Sequence, residues 1–203
     1  MAQLTEIASG IFQWSVFSEE KKLNFNGLFV KTGDESIIID PPELNSSGLI
    51  ELKSLIDQYP TQAIILTNVH HERSSQALKS KFGIPIIINQ KDASALDFKP
   101  DKTFKYGEII FGFIKTISFE NQKSPGETGL LIESQKIMIL GDALIGKVPG
   151  KLNMLTAEKY EDIQNAKQSL KILNHYKFEI LLLGDGESIL NNAGEVVKKF
   201  LEE

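Results

Sequence analysis

Two of the three histidines in this chain lie side by side in a short polar stretch that follows an apolar one. Residues 64–66 form a β-branched, apolar run, which is typical of a strand buried on both faces. From Thr67 the side chains become polar and include His70 and His71, and helical spacing begins at Ser75. Open α/β folds place reactive side chains between such a strand end and a helix start. Taken alone, however, the stretch also fits a capped helix start with solvated side chains.

Similar polar patches recur at three later places, each close to the end of a predicted strand. They are residues 123–127 (Lys-Ser-Pro-Gly-Glu), residues 141–142 (Gly-Asp) and residues 184–186 (Gly-Asp-Gly). Each of these is ordinary turn chemistry when considered by itself. Their common position at strand ends indicates that the fold brings them together.

The elements that must position these patches follow one order in both halves of the chain. The first half predicts antiparallel strands over residues 4–39, a helix capped by Ser46 or Ser47, a strand at 63–67, a helix at 75–82, a strand at 85–88 and a short helix at 91–96. The second half predicts a strand or hairpin at 109–119, strands at 128–132 and 136–140, one long helix at 156–174, a strand at 179–183 and a helix at 193–201. This order indicates an α/β domain spanning 1–203, with two packed sheets and helices outside them.

Composition excludes several classes of partner. The net charge of −5 argues against a nucleic-acid partner and against an anionic membrane, because both require a basic face. No cysteine is present, so disulfides and thiolate metal ligands are excluded, as in proteins of a reducing compartment. No secretory signal or membrane-spanning run is visible. We therefore expect a cytoplasmic protein, while its oligomeric state is not predicted.

The four patches, in their order and spacing, resemble the metallo-β-lactamase-fold superfamily. Members of that superfamily carry Thr-His-x-His-x-Asp-His, then a histidine before a small residue, Pro and Gly, then Gly-Asp, and finally Gly-His-Gly. The resemblance covers nearly the whole chain and extends to Asp40, whose counterpart braces the loop of the first ligands by accepting backbone N–H bonds. It implies a four-layer αββα sandwich in which two mixed β-sheets are flanked by helices, with a metal centre along one edge of the sheets.

The metal ligands of that family are only partly kept here. By the resemblance, the ligand positions fall on Asn68, His70, Glu72, Arg73, Lys123, Asp142 and Asp185. Only His70 and Asp142 keep the residue type of the family. Arginine offers no lone pair and stays protonated, and lysine binds a metal only after it loses its proton. The standard dinuclear zinc centre is therefore not expected.

The substitutions suggest a replacement of the metal by side-chain cations. Without an ion, Asp142 would be a buried and unpaired carboxylate, which costs several kcal/mol. We expect Arg73 and Lys123 to occupy the metal positions and to pair with Asp142 and Asp185, while Glu72 and Asn68 satisfy the remaining hydrogen bonds. No metal cofactor is then expected. Some family members look like Thr-Asn-x-x-His-x-Arg-Ser in the first patch, which implies that His71 matters more than His70.

Three functions remain open at this level, and whether the chain is an enzyme is one of the open points. The first is a metal-free protein of unassigned activity whose cleft receives a small anionic molecule. The second is a hydrolase of an ester, thioester or phosphodiester with one divalent ion, manganese or iron rather than zinc. Its ligands would be His70, Glu72, Asp142 and Asp185. The third is metal-free catalysis with Lys123 as base or nucleophile, which the neighbouring aspartates disfavour.

One more segment bears on the cleft. Residues 146–151 are rich in glycine and lysine but lack the full order of a phosphate-binding loop, and they do not open a helix directly. A flap over the polar cluster is the better interpretation of this segment.

Overall fold

The first sheet contains seven strands and carries the first polar patch. The computed structural model describes residues 3–203. The strands, in chain order, are β1 (Thr5–Ala8), β2 (Ile11–Ser18), β3 (Leu23–Thr32), β4 (Glu35–Ile39), β5 (Thr61–Leu66), β6 (Ile86–Asn89) and β7 (Lys102–Phe104). They lie in the sheet in this same order. The pairs from β1 to β4 are antiparallel, as predicted, and those from β4 to β7 are parallel.

The second sheet contains five strands, and a separate hairpin follows one of them. Its strands are β8 (Ile109–Ile110), β9 (Ile114–Ser118), β10 (Thr128–Ile132), β11 (Ile137–Leu140) and β14 (Ile180–Leu183), with the order β14-β11-β10-β9-β8. The hairpin consists of β12 (Ile145–Val148) and β13 (Lys151–Asn153). The glycine-rich segment expected to be a flap, residues 146–151, thus forms the end of β12, the turn of the hairpin and the start of β13.

Helices cover the outer faces of both sheets. They are α1 (Ser46–Gln58), α2 (Ser75–Phe82), α3 (Ile163–Ser169) and α4 (Ala193–Glu202). One apolar cluster fills the space between the sheets, with Val30 and Ile65 from the first and Leu130 and Leu182 from the second. Two further clusters join the first sheet to α1 and α2, and the second sheet to α4 and to the 3-10 segment Leu170–His175 that follows α3. The fold is the αββα sandwich of two mixed sheets that the resemblance implied.

Two local predictions are wrong. The cap of α1 is Asn45, whose side chain accepts the N–H of Gly48 at 2.8 Å, and not Ser46 or Ser47. The single helix predicted over 156–174 is divided into a 3-10 turn, the short helix α3 and a second 3-10 segment. The side chain of Asp162 accepts the N–H groups of Gln164 and Asn165, which starts a new helix there.

The strand ends that carry the patches meet at one edge of the sandwich. The N–H of Asn26 donates to the carbonyl of Gly184 at 2.8 Å, and the N–H of Thr128 donates to the carbonyl of Thr67 at 2.9 Å, so each bond joins one sheet to the other. The loops after β4, β5, β11 and β14 therefore face a common space. Among the helices of residues 3–203, none is long and apolar enough to cross a membrane.

Candidate functional site

The site is built outward from Asp40, a buried acid that directly follows β4. Its carboxylate accepts the N–H of Thr67 at 2.8 Å and the hydroxyl of Thr67 at 2.6 Å, and it lies 2.8 Å from Nδ1 of His71. Asp40 has a φ of 47°, a left-handed conformation that aspartate tolerates better than most residues. The bracing role expected of Asp40 is therefore confirmed, and it extends to the ring of a histidine.

His71 lies at the centre of the polar cluster and is only 2% exposed. Its Nε2 lies 3.4 Å from Asp142 Oδ1 and 3.9 Å from Asp185 Oδ1. Burial and Arg73 lower the pKa of His71, but Asp40 and Asp142 outweigh them and raise it to about 10. The close approach needs a glycine at 184, because a Cβ there would lie 2.6 Å from the imidazole Cε1. The imidazole is thus a buried cation at neutral pH.

Lys123 pairs with Asp142, as the sequence predicts. The Lys123 Nζ donates to Asp142 Oδ2 at 2.7 Å, and the lysine side chain is about one quarter exposed while the aspartate is buried. Burial alone would raise the pKa of Asp142, but His71 and Lys123 together hold it well below its ordinary value. Asp142 is therefore a carboxylate between two cations.

Arg73 pairs with Asp185 and also binds three backbone carbonyl groups. Its guanidinium donates to Asp185 Oδ1, to the carbonyls of Asn26 at 3.0 Å and Asp40 at 3.2 Å, and to Gly184 at 3.4 Å. Its Cζ lies 4.7 Å from the ring centre of Phe25, a cation–π contact. Burial raises the pKa of Asp185, and the nearby cations offset only part of that effect. Arg73 thus connects both sheets at the site.

Three predicted site residues lie differently from the expectation. Asn68 is buried, but its Oδ1 accepts the N–H of His70 and caps the short 3-10 turn there. His70 is exposed, but partial desolvation of its ring, together with the charge of Lys123, lowers its pKa. Within residues 3–203 the Glu72 side chain forms no hydrogen bond to the cluster, and burial and Asp97 raise its pKa. The prediction that Asn68 and Glu72 complete the hydrogen bonds of the cluster is wrong. The side chain of His71 lies there instead, beside Asp40 and Asp142.

Two buried acids support the site in ways that the sequence did not indicate, although Glu127 is the last residue of the second patch. Asp92 accepts the N–H groups of Val69 and Gly126 at 2.8 and 2.7 Å and the hydroxyl of Ser124, and so holds the first two patches together. Glu127 is fully buried behind Asp142, and its Oε1 accepts the N–H of Ala143. Burial and Asp142 raise the pKa of Glu127 well above its ordinary value, which favours its protonated form.

A cleft of about 500 Å³ opens above the cluster, which is within the usual range for small-molecule sites. Its floor holds His71, Arg73, Lys123, Asp142 and Asp185, with His70 at the side. Its walls and rim are formed by Lys21, Leu23, Phe25, Ile145, Lys147, Met154, Leu155, Thr156, Glu158 and Lys159. The hairpin of β12 and β13 contributes Ile145 and Lys147, so this segment does border the polar cluster.

A metal ion would find part of a ligand set here. His71, Asp142 and Asp185 each offer one ligand atom, and these atoms lie within 4.8 Å of one another. A histidine and two carboxylates are donors that zinc and other divalent ions accept. However, Arg73 Nη2 lies 3.3 Å from His71 Nε2 and donates to Asp185 Oδ1, so an ion would have to displace the guanidinium. His70 and Glu72 are not in this group, which differs from the ligand set that the resemblance implied.

The raised pKa of His71 leads to a prediction about pH. We expect a nitrogen-15 spectrum of the folded protein at pH 8 to show an imidazolium at His71 and a neutral ring at His70. Because the folded pKa is about 10 and the unfolded value 6.5, the stabilisation by His71 is fully present below pH 6.5 and is lost as the pH rises towards 10. The free energy of unfolding of the wild type should therefore fall between pH 7 and 9.5, and that of His71→Gln should fall less. A neutral His71 ring at pH 8 would contradict this.

Comparisons with known proteins agree on the fold. The profile of the family described as the metallo-beta-lactamase superfamily matches residues 6–203. The solved structure of a metallo-beta-lactamase from Pontibacter korlensis has a TM-score of 0.79 at 16% identity and covers 100% of this chain and 98% of that chain. The structure of the metallo-beta-lactamase DIM-1 exposed to ceftazidime has a TM-score of 0.80 at 16% identity and covers 99% of this chain and 96% of that chain. The structure of a metallo-beta-lactamase from Erythrobacter litoralis has a TM-score of 0.76 at 13% identity and covers 98% of this chain and 95% of that chain. The search of curated proteins found no match.

Proposed function

This chain belongs to the metallo-β-lactamase superfamily, and we propose that its site works without a resident metal, as a receptor for a small anionic molecule. In this proposal the cations of Arg73 and Lys123, together with the imidazolium of His71, take the place of the ions in the polar cluster. The single observation that carries the proposal is the direct pairing of Lys123 with Asp142 and of Arg73 with Asp185.

Charge balance supports the proposal. The cluster contains three cations, at His71, Arg73 and Lys123, and three carboxylates, at Asp40, Asp142 and Asp185. A buried carboxylate without a partner costs several kcal/mol, and each of these three has a cation at hydrogen-bond distance, while the nearby Asp92 is satisfied by two N–H groups and a hydroxyl. The fold therefore needs no metal to neutralise the edge where its two sheets meet.

The contacts of Arg73 support the proposal independently. A guanidinium that bonds to three carbonyls and one carboxylate is fixed in place, because leaving would abandon several buried acceptors at once. Its position beside His71 Nε2 blocks the nitrogen through which this histidine would bind an ion. A competing ion must therefore overcome the loss of the whole Arg73 network.

Metal analysis tests this proposal. We expect protein purified without chelator, incubated with zinc and then desalted to hold well below one zinc per chain, because the donor atoms are already paired. The variant Asp142→Asn is the matched control for zinc that binds elsewhere on the protein, since it removes a carboxylate that a metal at this site would need. One zinc per wild-type chain that is lost in Asp142→Asn would contradict the proposal.

The proximity of His71, Asp142 and Asp185 favours a second candidate, a metal-dependent hydrolase. In that case the three side chains would hold one divalent ion, which would lower the pKa of a bound water and polarise an ester, thioester or phosphodiester. His71 would be oriented by Asp40, and Arg73 would have to move away from Nε2. Hydrolysis restored by one divalent ion and abolished in Asp142→Ala would establish this candidate in place of the first.

A further inference from the structure

We infer that the ligand of this cleft is an organic molecule with one anionic group and an apolar body, and that the lysines of the rim, rather than the buried cations, receive its charge. This inference rests on the proposed function, because it assigns a ligand class to the same cleft. It follows from how charge and apolar surface are distributed between the floor and the rim.

Every cation on the floor of the cleft is already paired with a carboxylate. Each of His71, Arg73 and Lys123 already contacts a carboxylate. If His71 were neutral, the floor would carry an excess of negative charge and would repel an anion more strongly. An anionic group that entered the floor would have to compete with Asp142 and Asp185 for their own partners. The charge of a ligand must therefore be met elsewhere.

The rim does carry an excess of positive charge. Lys21 pairs with Glu20 at 2.6 Å, and Lys159 lies on the same rim as Glu158. Lys147, on the hairpin of β12 and β13, forms no ion pair within residues 3–203, and neither does Lys159. Both lysine side chains are exposed and line the cleft. This arrangement matches one negative charge at the mouth.

The wall between the rim and the floor is largely apolar. Leu23 and Phe25 of β3 lie on it, and Ile145, Met154 and Leu155 lie on it as well. Arg73 packs against the ring of Phe25, which keeps this ring fixed at the wall. Covering this wall with the apolar body of a ligand removes apolar surface from water, which favours binding. An inorganic ion has no apolar surface and obtains no such contribution. The cleft thus fits an amphipathic anion better than phosphate or acetate.

Titration calorimetry with simple probes, in the presence of EDTA, tests this inference. The probes are acetate, octanoate and 1-octanol, all at constant ionic strength. We expect octanoate to bind at least about a hundredfold more tightly than acetate, because six more methylene groups leave water. Octanoate should also bind more tightly than octanol, because octanol has no charge for the lysines.

The variant Lys147→Gln/Lys159→Gln tests the role of the rim. We expect it to weaken octanoate binding about three- to tenfold, since exposed ion pairs are individually weak, and to reduce the salt dependence of binding. Lys102→Gln/Lys171→Gln removes the same charge from exposed positions outside the cleft lining and should leave binding unchanged. Equal losses in both double variants would overturn the assignment to the rim.

The outcomes separate this inference from the proposed function. If acetate and octanoate bind equally well, the inference that the ligand has an apolar body is wrong, but the proposal that the cleft receives an anion is not contradicted. If octanol binds as well as octanoate, or if the rim variant binds octanoate as the wild type does, the assignment of the charge to the rim lysines is overturned. If neither anion binds, the proposed receptor function fails together with the inference.

Discussion

Arg73→Met is expected to lower the free energy of unfolding by about 3–5 kcal/mol, the usual cost of removing one partner from a buried ion pair. The substitution leaves Asp185 without its cation and deprives three backbone carbonyls of a donor. Methionine retains much of the apolar stem that packs at Phe25. Most of the decrease in the free energy of unfolding therefore measures the contribution of the guanidinium. Urea unfolding at pH 7 measures the change.

The matched control is Lys53→Met on the surface of α1. Lys53 also pairs with an aspartate, Asp57, but both side chains are about 60% exposed. Such pairs contribute about 0–1 kcal/mol, so this variant should be nearly as stable as the wild type. If Arg73→Met were no more destabilising than Lys53→Met, the guanidinium would not be the connection between the sheets that its contacts indicate.

Asp40→Asn is the second substitution with a large expected effect, again about 3–5 kcal/mol. Asparagine has the same size and tolerates the positive φ at this position, and it keeps one oxygen for the N–H of Thr67. It replaces the second oxygen with an amide group that faces two donors, the Thr67 hydroxyl and His71 Nδ1. The imidazolium then loses its closest counter-charge.

The pKa of His71 provides a specific readout for this variant. We expect it to fall when Asp40 loses its charge, because Asp40 is one of the groups that raise it. Asp57→Asn, an exposed partner in a surface pair, should change neither the stability nor the His71 titration. A His71 titration that is unchanged in Asp40→Asn would mean that Asp40 does not hold the imidazole in its charged form.

The apolar runs made most of the fold predictable from the sequence. Strands such as β5 and β14 end in short runs of Ile and Leu that are buried on both faces, and the predicted strand ends place the four patches at one edge. The pairing of Lys123 with Asp142 and of Arg73 with Asp185 could be predicted once the resemblance had placed these four residues at ligand positions, because buried carboxylates require partners. These contacts depend on residue type and order along the chain.

What could not be predicted depends on backbone direction and on long-range contacts. The residue types alone do not distinguish His70 from His71. The resemblance favoured His71, and the 3-10 turn capped by Asn68 turns that ring inward. Asp92 follows a strand and looks like an ordinary turn acid, but its partners lie up to 34 residues away in the chain. The rim lysines carry no local signal, since most lysines are exposed.

The break in the helix predicted over 156–174 illustrates the same limit. Apolar spacing continues through the break, but the local capping bonds of Asp162 start a new helix within it. Lys159 consequently lies on a 3-10 turn at the mouth of the cleft rather than on the face of a long helix. A local hydrogen bond thus determines which cation borders the site.

Diffraction from crystals grown with excess zinc, recorded on both sides of the zinc absorption edge, tests the central claim most directly. We predict no anomalous peak beside Asp142, with Lys123 Nζ and the Arg73 guanidinium still in contact with their aspartates. A peak bound by His71, Asp142 and Asp185, with Arg73 turned away, would contradict the claim.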